Sequence, residues 1–201
     1  MKKLRVCLFA PLLCALQIVL YSCVTPKPPV EVARPQCSRA IRAAGIKSAE
    51  QLAAFFASRN PDYPQTHLLA LAKLYVEEGA IEGINSDAAF VQMCPETGFQ
   101  RYGNLVTPDM NNFCGLGAMD AEHPGERFET PQLGVRAHIQ HLQAYATTAD
   151  VSLKQELVDP RYSWVHKAKT ANTVQELTGQ WATDPDYGEK LDRLLSELEA
   201  F

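Results

Sequence analysis

The chain has 201 residues, and three of its 19 Lys and Arg stand in the first five positions, which leaves 16 basic against 23 acidic side chains and a net charge of −7 over the remainder. With 46% hydrophobic and 21% charged residues it can bury a core, and its length suits one domain plus a short tether. Wholesale disorder, collagen-like and coiled-coil structure are excluded, and an acidic body without a Lys/Arg block speaks against duplex nucleic acid as a partner, because phosphate neutralisation needs clustered cations.

In chain order, Lys2, Lys3 and Arg5 precede an apolar run from Val6 to Leu20, broken only by Pro11 and Gln17. This is the pattern of an export signal over residues 1–22, and the run is shorter than the ~20 apolar residues of a membrane span. Its end, Leu20-Tyr21-Ser22-Cys23, resembles the bacterial lipobox. That resemblance implies lipidation of Cys23, with acyl chains holding the protein on a membrane at about 0.8 kcal/mol per buried CH2. The alternative is an ordinary cleaved leader with an incidental cysteine. Val24 in place of Asp after Cys23 resembles the sorting pattern for the outer membrane of a diderm cell. The proline-rich stretch from Val24 to Val30 is extended, so residues 23–36 read as the anchor and tether, and 37–201 as the domain.

Cys7 and Cys14 belong to the leader, which leaves Cys37, Cys94 and Cys114 in the domain. An odd number permits one disulfide or none. No His/Cys cluster has metal-ligand spacing, so neither a metal nor a cofactor is expected, and Cys94, in an apolar helical run, reads as a buried thiol.

The domain punctuates itself as helices. Ser48 and Gln51 make a capping box before Leu52, Phe55 and Phe56; Thr66 is positioned to cap a stretch through Leu68, Leu71, Leu74 and Tyr75. Ser86 is expected to cap a helix from Ala88 to about Cys94, and Thr130-Pro131 opens another through Val135, Ile139 and Leu142. Thr173 with Glu176 caps the helix before the last one. Asp184-Pro185 starts a last helix with Tyr187, Leu191, Leu194, Leu195 and Leu198 on one stripe. Strand-like alternation is scarce, and the glycine-bearing stretch from Phe113 to Phe128 is expected to form a short hairpin or an irregular loop.

The chemistry concentrates at Pro95-Glu96-Thr97-Gly98, where an apolar helix runs out. A carboxylate beside the negative end of a helix and apolar neighbours is disfavoured as an anion, so its pKa rises and it can donate a proton to a leaving oxygen at neutral pH. On residue type and position alone, Glu96 reads as a solvated helix-end glutamate. His138 and His141 share a helix face without a third ligand, and read as packing or surface residues. No Gly-x-Ser-x-Gly elbow or phosphate loop is present.

Three blocks carry a likeness: the run from Ala89 to Phe99, the run Asn111-Asn112-Phe113-Cys114-Gly115-Leu116-Gly117, and Trp181-Ala182-Thr183-Asp184-Pro185-Asp186-Tyr187 with Lys190-Leu191 behind. Phe128, the run Gly134 to His138 and Asp159-Pro160-Arg161-Tyr162 are lesser landmarks in the right order. Over roughly Tyr63 to Phe201 the sequence resembles the bacterial glucosaminidase domains of autolysins and of the flagellar-rod peptidoglycan hydrolase.

The resemblance implies a mainly α (α+β), lysozyme-like helical domain with a short hairpin or loop lobe beside a cleft. It also implies hydrolysis of the β-1,4 bond after N-acetylglucosamine in peptidoglycan glycan strands, in the bacterial cell envelope. Glu96 matches the family's general acid. The second acid falls in the shortened stretch Met119 to Thr130, with Glu126 first and Glu122 and Glu129 behind it, unless the substrate's own acetamido group takes that part. Trp181 stands where the family usually has tyrosine, which keeps a stacking face and an indole donor and leaves Tyr187 or Tyr162 to supply a hydroxyl. Asn112, Phe113, Trp181 and Tyr187 are expected to bind substrate; the alternatives are that Asn111 and Asn112 merely terminate a loop and that Phe113 and Tyr187 pack in the core. The competing expectation is a non-catalytic envelope lipoprotein whose degenerate cleft only binds peptidoglycan or a partner.

Overall fold

The computed structural model of the chain describes residues 35–147, 151–168 and 170–201. The expected leader, Cys23 and all but the last two residues of the tether lie outside them. The described residues form six helices: α1 (Ala49–Ala57), α2 (Gln65–Glu82), α3 (Ser86–Glu96), α4 (Pro131–Ala146), α5 (Tyr162–Ala168) and α6 (Tyr187–Leu198), with 3-10 turns at Pro108–Met110 and Gln175–Leu177. Extended pairing among them is limited to isolated bridges, such as Ala118 with Pro124. The domain is mainly helical, as expected.

Local chemistry explains some helix starts. Ser48 Oγ accepts from Gln51 N while Gln51 Oε1 accepts from Ser48 N, so the capping box before α1 is closed. Thr130 Oγ1 accepts from Leu133 N, with Pro131 at the first helical position of α4.

Four expected caps are corrected. The α2 helix begins at Gln65, directly behind Pro64, so Thr66 falls inside its first turn. Asn85 rather than Ser86 caps α3: its Oδ1 accepts from Asp87 N and Ala88 N, while its Nδ2 donates to the carbonyls of Ser38 and Ala40. The α6 helix starts at Tyr187, and Asp184 instead accepts from Asp186 N and pairs with Lys190. Thr173 heads only the turn Gln175–Leu177, and the Glu176 carboxylate reaches Asn172 N.

Helix α3 packs against α1, α2, α4 and α6, and its residues from Ser86 to Cys94 are all buried. A helix buried on every face sits at the centre of a bundle, here with the polar Ser86, Asp87 and Gln92 buried among its apolar residues. Its last turn therefore carries Glu96 out of the core. On α6, Tyr187, Leu191, Leu195 and Leu198 face inward as the stripe predicts, with Leu194 half-buried. Cys37, Cys94 and Cys114 are buried free thiols, so none of the three forms a disulfide.

Past Glu96 the backbone takes a costly path. Phe99, Gln100 and Tyr102 all have left-handed φ, at 55°, 62° and 54°, a conformation worth about 1–3 kcal/mol of strain for each non-glycine residue. Asn60 Nδ2 donates to Phe99 O at 2.8 Å, and Thr97 Oγ1 accepts from Gln100 N at 2.9 Å. The Phe99 ring packs on Phe55 and Phe56. This turn sets Tyr102 in the wall of the cleft described next.

Candidate active site

The cleft forms where the end of α3, the loop from Asn112 to Ala118 and the residues before α6 meet. One hollow of about 380 Å³ is lined by Glu96, Tyr102, Val106, Cys114, Gly115 and Trp181 among others. A second, of about 240 Å³, shares Cys114, Gly115, Ala118 and Trp181 with it and runs on to Arg161 and Trp164. Glu96 is the only carboxylate among the described residues lining either.

The two oxygens of the Glu96 carboxyl have different surroundings. Oε1 accepts from Tyr187 Oη and, at 3.1 Å, from Trp181 Nε1. Oε2 faces Gly115, where a Cβ would stand 3.8 Å away. Among the described residues no buried side-chain oxygen lacks a partner, so Oε2, which has none, opens to the cleft. Burial raises the Glu96 pKa above the usual glutamate range, partly offset by the two hydrogen bonds. When the carboxyl is protonated, the proton belongs on Oε2, because Oε1 already takes two donors.

Behind Tyr187 lies a buried series of hydrogen bonds. Gln92 Nε2 donates to Tyr187 Oη at 2.8 Å, Gln92 Oε1 pairs with His138 Nε2 at 3.1 Å, and His138 Nδ1 pairs with Tyr75 Oη at 2.9 Å. An amide oxygen accepts only, so His138 carries its proton on Nε2 and Nδ1 accepts from Tyr75. Every bond then donates toward Glu96: Tyr75 to His138, His138 to Gln92, Gln92 to Tyr187, Tyr187 to Oε1. Bonds aligned in one sense polarise one another. Burial and the neighbouring Glu96 hold the Tyr187 phenol well above its ordinary pKa, so it stays a donor.

Burial also pushes His138 down to about 3. It is neutral in the native chain, whereas in the unfolded chain it titrates near 6.5. The unfolded state therefore takes the proton first, and stability falls as pH drops from about 6.5 toward 3, by about 1.4 kcal/mol per pH unit from this group. His138→Gln is expected to flatten the fall in urea midpoint between pH 6.5 and 5; an unchanged slope overturns this account.

Trp181 is held by rings on α4: His141 lies edge-on at 5.0 Å, with His138 at 5.7 Å and Tyr145 at 5.5 Å. His141 Nδ1 in turn bonds Asp159 Oδ2 at 2.8 Å. The two histidines are therefore supports for the indole and the hydrogen-bond series, the packing reading of the sequence.

The remaining expected residues fall elsewhere. Asn112 is fully buried, its Nδ2 donating to the carbonyls of Leu116 and Glu126 and its Oδ1 accepting from Leu116 N and Cys114 N. Its amide is spent on the loop, so it shapes the Gly115 turn rather than facing the cleft. Phe113 is in the core and borders a different, apolar hollow beside Leu71 and Pro131. Asn111 Nδ2 donates to Phe128 O. The Glu126 carboxylate lies on Gly117, where a Cβ would come 3.0 Å from its Oε1, while Glu122 and Glu129 are exposed. The 119–130 lobe is a tight loop closed by the single bridge Ala118–Pro124, with Asp120 Oδ1 accepting from Glu122 N and His123 N. Tyr162 donates to Gln143, away from Glu96, so the hydroxyl that reaches the Glu96 carboxyl is that of Tyr187. Tyr102, Gln92 and Tyr75 carry no short-range signal that marks them; their roles arise only from contacts across the fold.

The sequence model of the family described as "Glucosaminidase: Mannosyl-glycoprotein endo-beta-N-acetylglucosaminidase" matches residues 72–200, a span that holds every residue of the series from Tyr75 to Glu96 and both aromatic donors. A protein of Borreliella burgdorferi, described as uncharacterized, is 38% identical over 154 residues, covering 77% of this chain and 74% of that protein.

Proposed function

Because the chain belongs to the glucosaminidase family, we propose that it hydrolyses the β-1,4 bond after N-acetylglucosamine in peptidoglycan glycan strands, with Glu96 as general acid. The observation that carries this reading is the asymmetry of the Glu96 carboxyl: Oε1 is fixed by Tyr187 and Trp181, and Oε2 opens to the cleft. A carboxyl so held presents its proton in one direction, with its pKa raised as a general acid requires.

Glu96 gives its Oε2 proton to the departing glycosidic oxygen as the bond to C1 breaks. With Glu96 the only carboxylate among the described residues lining the cleft, the substrate's acetamido oxygen forms the new bond to C1 from the opposite face. Water then opens the cyclic intermediate, returns a proton to Glu96 and leaves a reducing N-acetylglucosamine. Glu126, on Gly117, supports the loop in this reading. Incubation with purified peptidoglycan tests it: fragments ending in reducing N-acetylglucosamine are expected, whereas anhydro-muramyl ends mean a transglycosylase. The lone cleft carboxylate also favours a second reading, a non-catalytic cleft, which is upheld by binding without release.

The proposal extends to a chain tethered through Cys23 to a membrane of the bacterial envelope, on the strength of the charged start, the apolar run and Ser22-Cys23. Cys23→Ala is expected to release the protein from membranes; continued membrane partition overturns the tether.

A further inference from the structure

The part of the cleft beyond Trp181 holds an arrangement that the reaction at Glu96 does not use. Trp164 is 56% exposed, on the short α5 helix, and Arg161 places its guanidinium carbon 5.5 Å from the centroid of the Trp164 ring. Both line the second hollow, continuous with the Glu96 hollow through Gly115, Ala118 and Trp181. No other Lys or Arg lines either hollow among the described residues. No described carboxylate forms an ion pair with the Arg161 guanidinium. In a chain whose part beyond the leader carries −7, a cation at a groove without an ion-pair partner among the described residues is not the product of general basicity.

The position of Arg161 is built rather than incidental. Asp159, 1% exposed, accepts from Arg161 N at 2.8 Å through Oδ1 and holds His141 Nδ1 through Oδ2. That His141 ring is the one packed edge-on against Trp181. One buried carboxylate thus fixes both the backbone that carries Arg161 and the ring behind the indole that donates to Glu96.

From these observations we infer that Arg161 and Trp164 form a subsite for an acidic sugar unit of the glycan, an inference that rests on the glycan-cleaving reading above. Trp164 stacks on the sugar ring, and Arg161 pairs with a carboxylate on its substituent. A neutral β-1,4 glycan offers the guanidinium only uncharged acceptors, whereas a muramyl unit offers a carboxylate, either the free lactyl group or that of a stem peptide linked through it. A planar fork matches a carboxylate with two parallel hydrogen bonds, and its stacking on an indole leaves the outer edge free to make them.

The test compares full-length chains carrying Arg161→Gln, Arg161→Lys or Trp164→Ala with the parent on three substrates. These are peptidoglycan bearing stem peptides, strands stripped of them by an amidase, and chito-oligosaccharides of the same linkage. Arg161→Gln is expected to raise KM about tenfold on an acidic substrate, with kcat little changed and no effect on chito-oligosaccharides. Arg161→Lys is expected to recover part of the loss. A rise on stripped strands identifies the lactyl carboxylate, and a rise confined to stem-bearing strands identifies the peptide. Trp164→Ala is expected to weaken all three. An equal loss on all three with Arg161→Gln, or no change on any, overturns the subsite.

Equilibrium binding of the same substrates in a Glu96→Gln background keeps the two readings apart. A parent that releases nothing overturns the glycosidase reading, while carboxylate-dependent binding abolished by Arg161→Gln still upholds the subsite.

Discussion

Replacing Glu96 by Gln is expected to lower glycan release by about 10²–10⁴-fold, the usual contribution of a positioned proton donor, while the domain stays folded. The amide oxygen can accept from Tyr187 and Trp181 as Oε1 does, and the amide nitrogen takes the place of Oε2 toward the cleft. Geometry is thereby kept and only the transferable proton is lost. The raised pKa also has a stability consequence whose sign is opposite to that of an ordinary surface carboxylate. The stabilisation associated with the raised value is complete below the ordinary glutamate pKa and is lost as pH rises through the higher native one. The Gln variant has no such proton to lose. Its melting temperature relative to the parent is therefore expected to improve between pH 4 and pH 8, whereas parental activity falls over the alkaline side as the acid loses its proton. Glu126→Gln, at a residue that packs on Gly117 but itself lines neither hollow, is expected to stay within a few-fold of the parent. Full activity in Glu96→Gln sinks the assignment of the acid, and an equal loss in Glu126→Gln returns that residue to the reaction.

The run Pro95-Glu96-Thr97-Gly98 at the end of an apolar helix draws attention to Glu96, but by itself it reads as a solvated helix end, and the reading of Glu96 as an acid comes from the resemblance of three blocks in order. The capping box at Ser48 and the Thr130-Pro131 start were legible because their signals are local, a few residues bonding to one another. Asn85 and Ser86 are adjacent and equally able to cap by type; the choice rests on the carbonyls of Ser38 and Ala40, to which only Asn85 donates. The buried hydrogen-bond series had no sequence signal at all. Its links join residues separated by 63, 46, 95 and 91 positions. Tyr187 shows the difficulty in one side chain. Its place on the α6 stripe reads as core, and it is indeed buried, yet the hydroxyl at the end of that buried ring reaches Glu96. Asn112 shows the converse, a polar residue whose type fits a glycan ligand or a loop end alike and that the glycine-rich loop consumes internally, because a loop with few side chains to pack is held by whatever amide can bridge its backbone.

The largest stability effect is expected at Gly134, a landmark whose reason the sequence does not disclose. On an open helix face Gly→Ala stabilises by about 1 kcal/mol, through the lower helix propensity of glycine. Here a Cβ would come 1.8 Å from the Asn111 carbonyl oxygen, 3.0 Å from the Asn111 carbonyl carbon and 3.2 Å from Phe113 Cε2. Two of those atoms are backbone and cannot rotate away. Asn111 is itself held in the left-handed region, at φ 49°, and tied to Phe128 O through its side chain. The helix and the loop must therefore part. Overpacking of this kind costs about 1–3 kcal/mol or more, so the sign of the substitution reverses. A net loss of about 2 kcal/mol corresponds to a drop in melting temperature of roughly 4–8 °C for a domain of this size. The consequence reaches the cleft, because the displaced segment leads into Asn112 and the Gly115 turn against which Glu96 Oε2 lies. Gly134→Ala is thus expected to lower both the unfolding midpoint and kcat, although residue 134 lines neither of the two cleft hollows. Denaturant melts and steady-state kinetics on the same preparation check both; a Gly134→Ala chain as stable as the parent means that α4 and the Asn111 loop do not approach this closely.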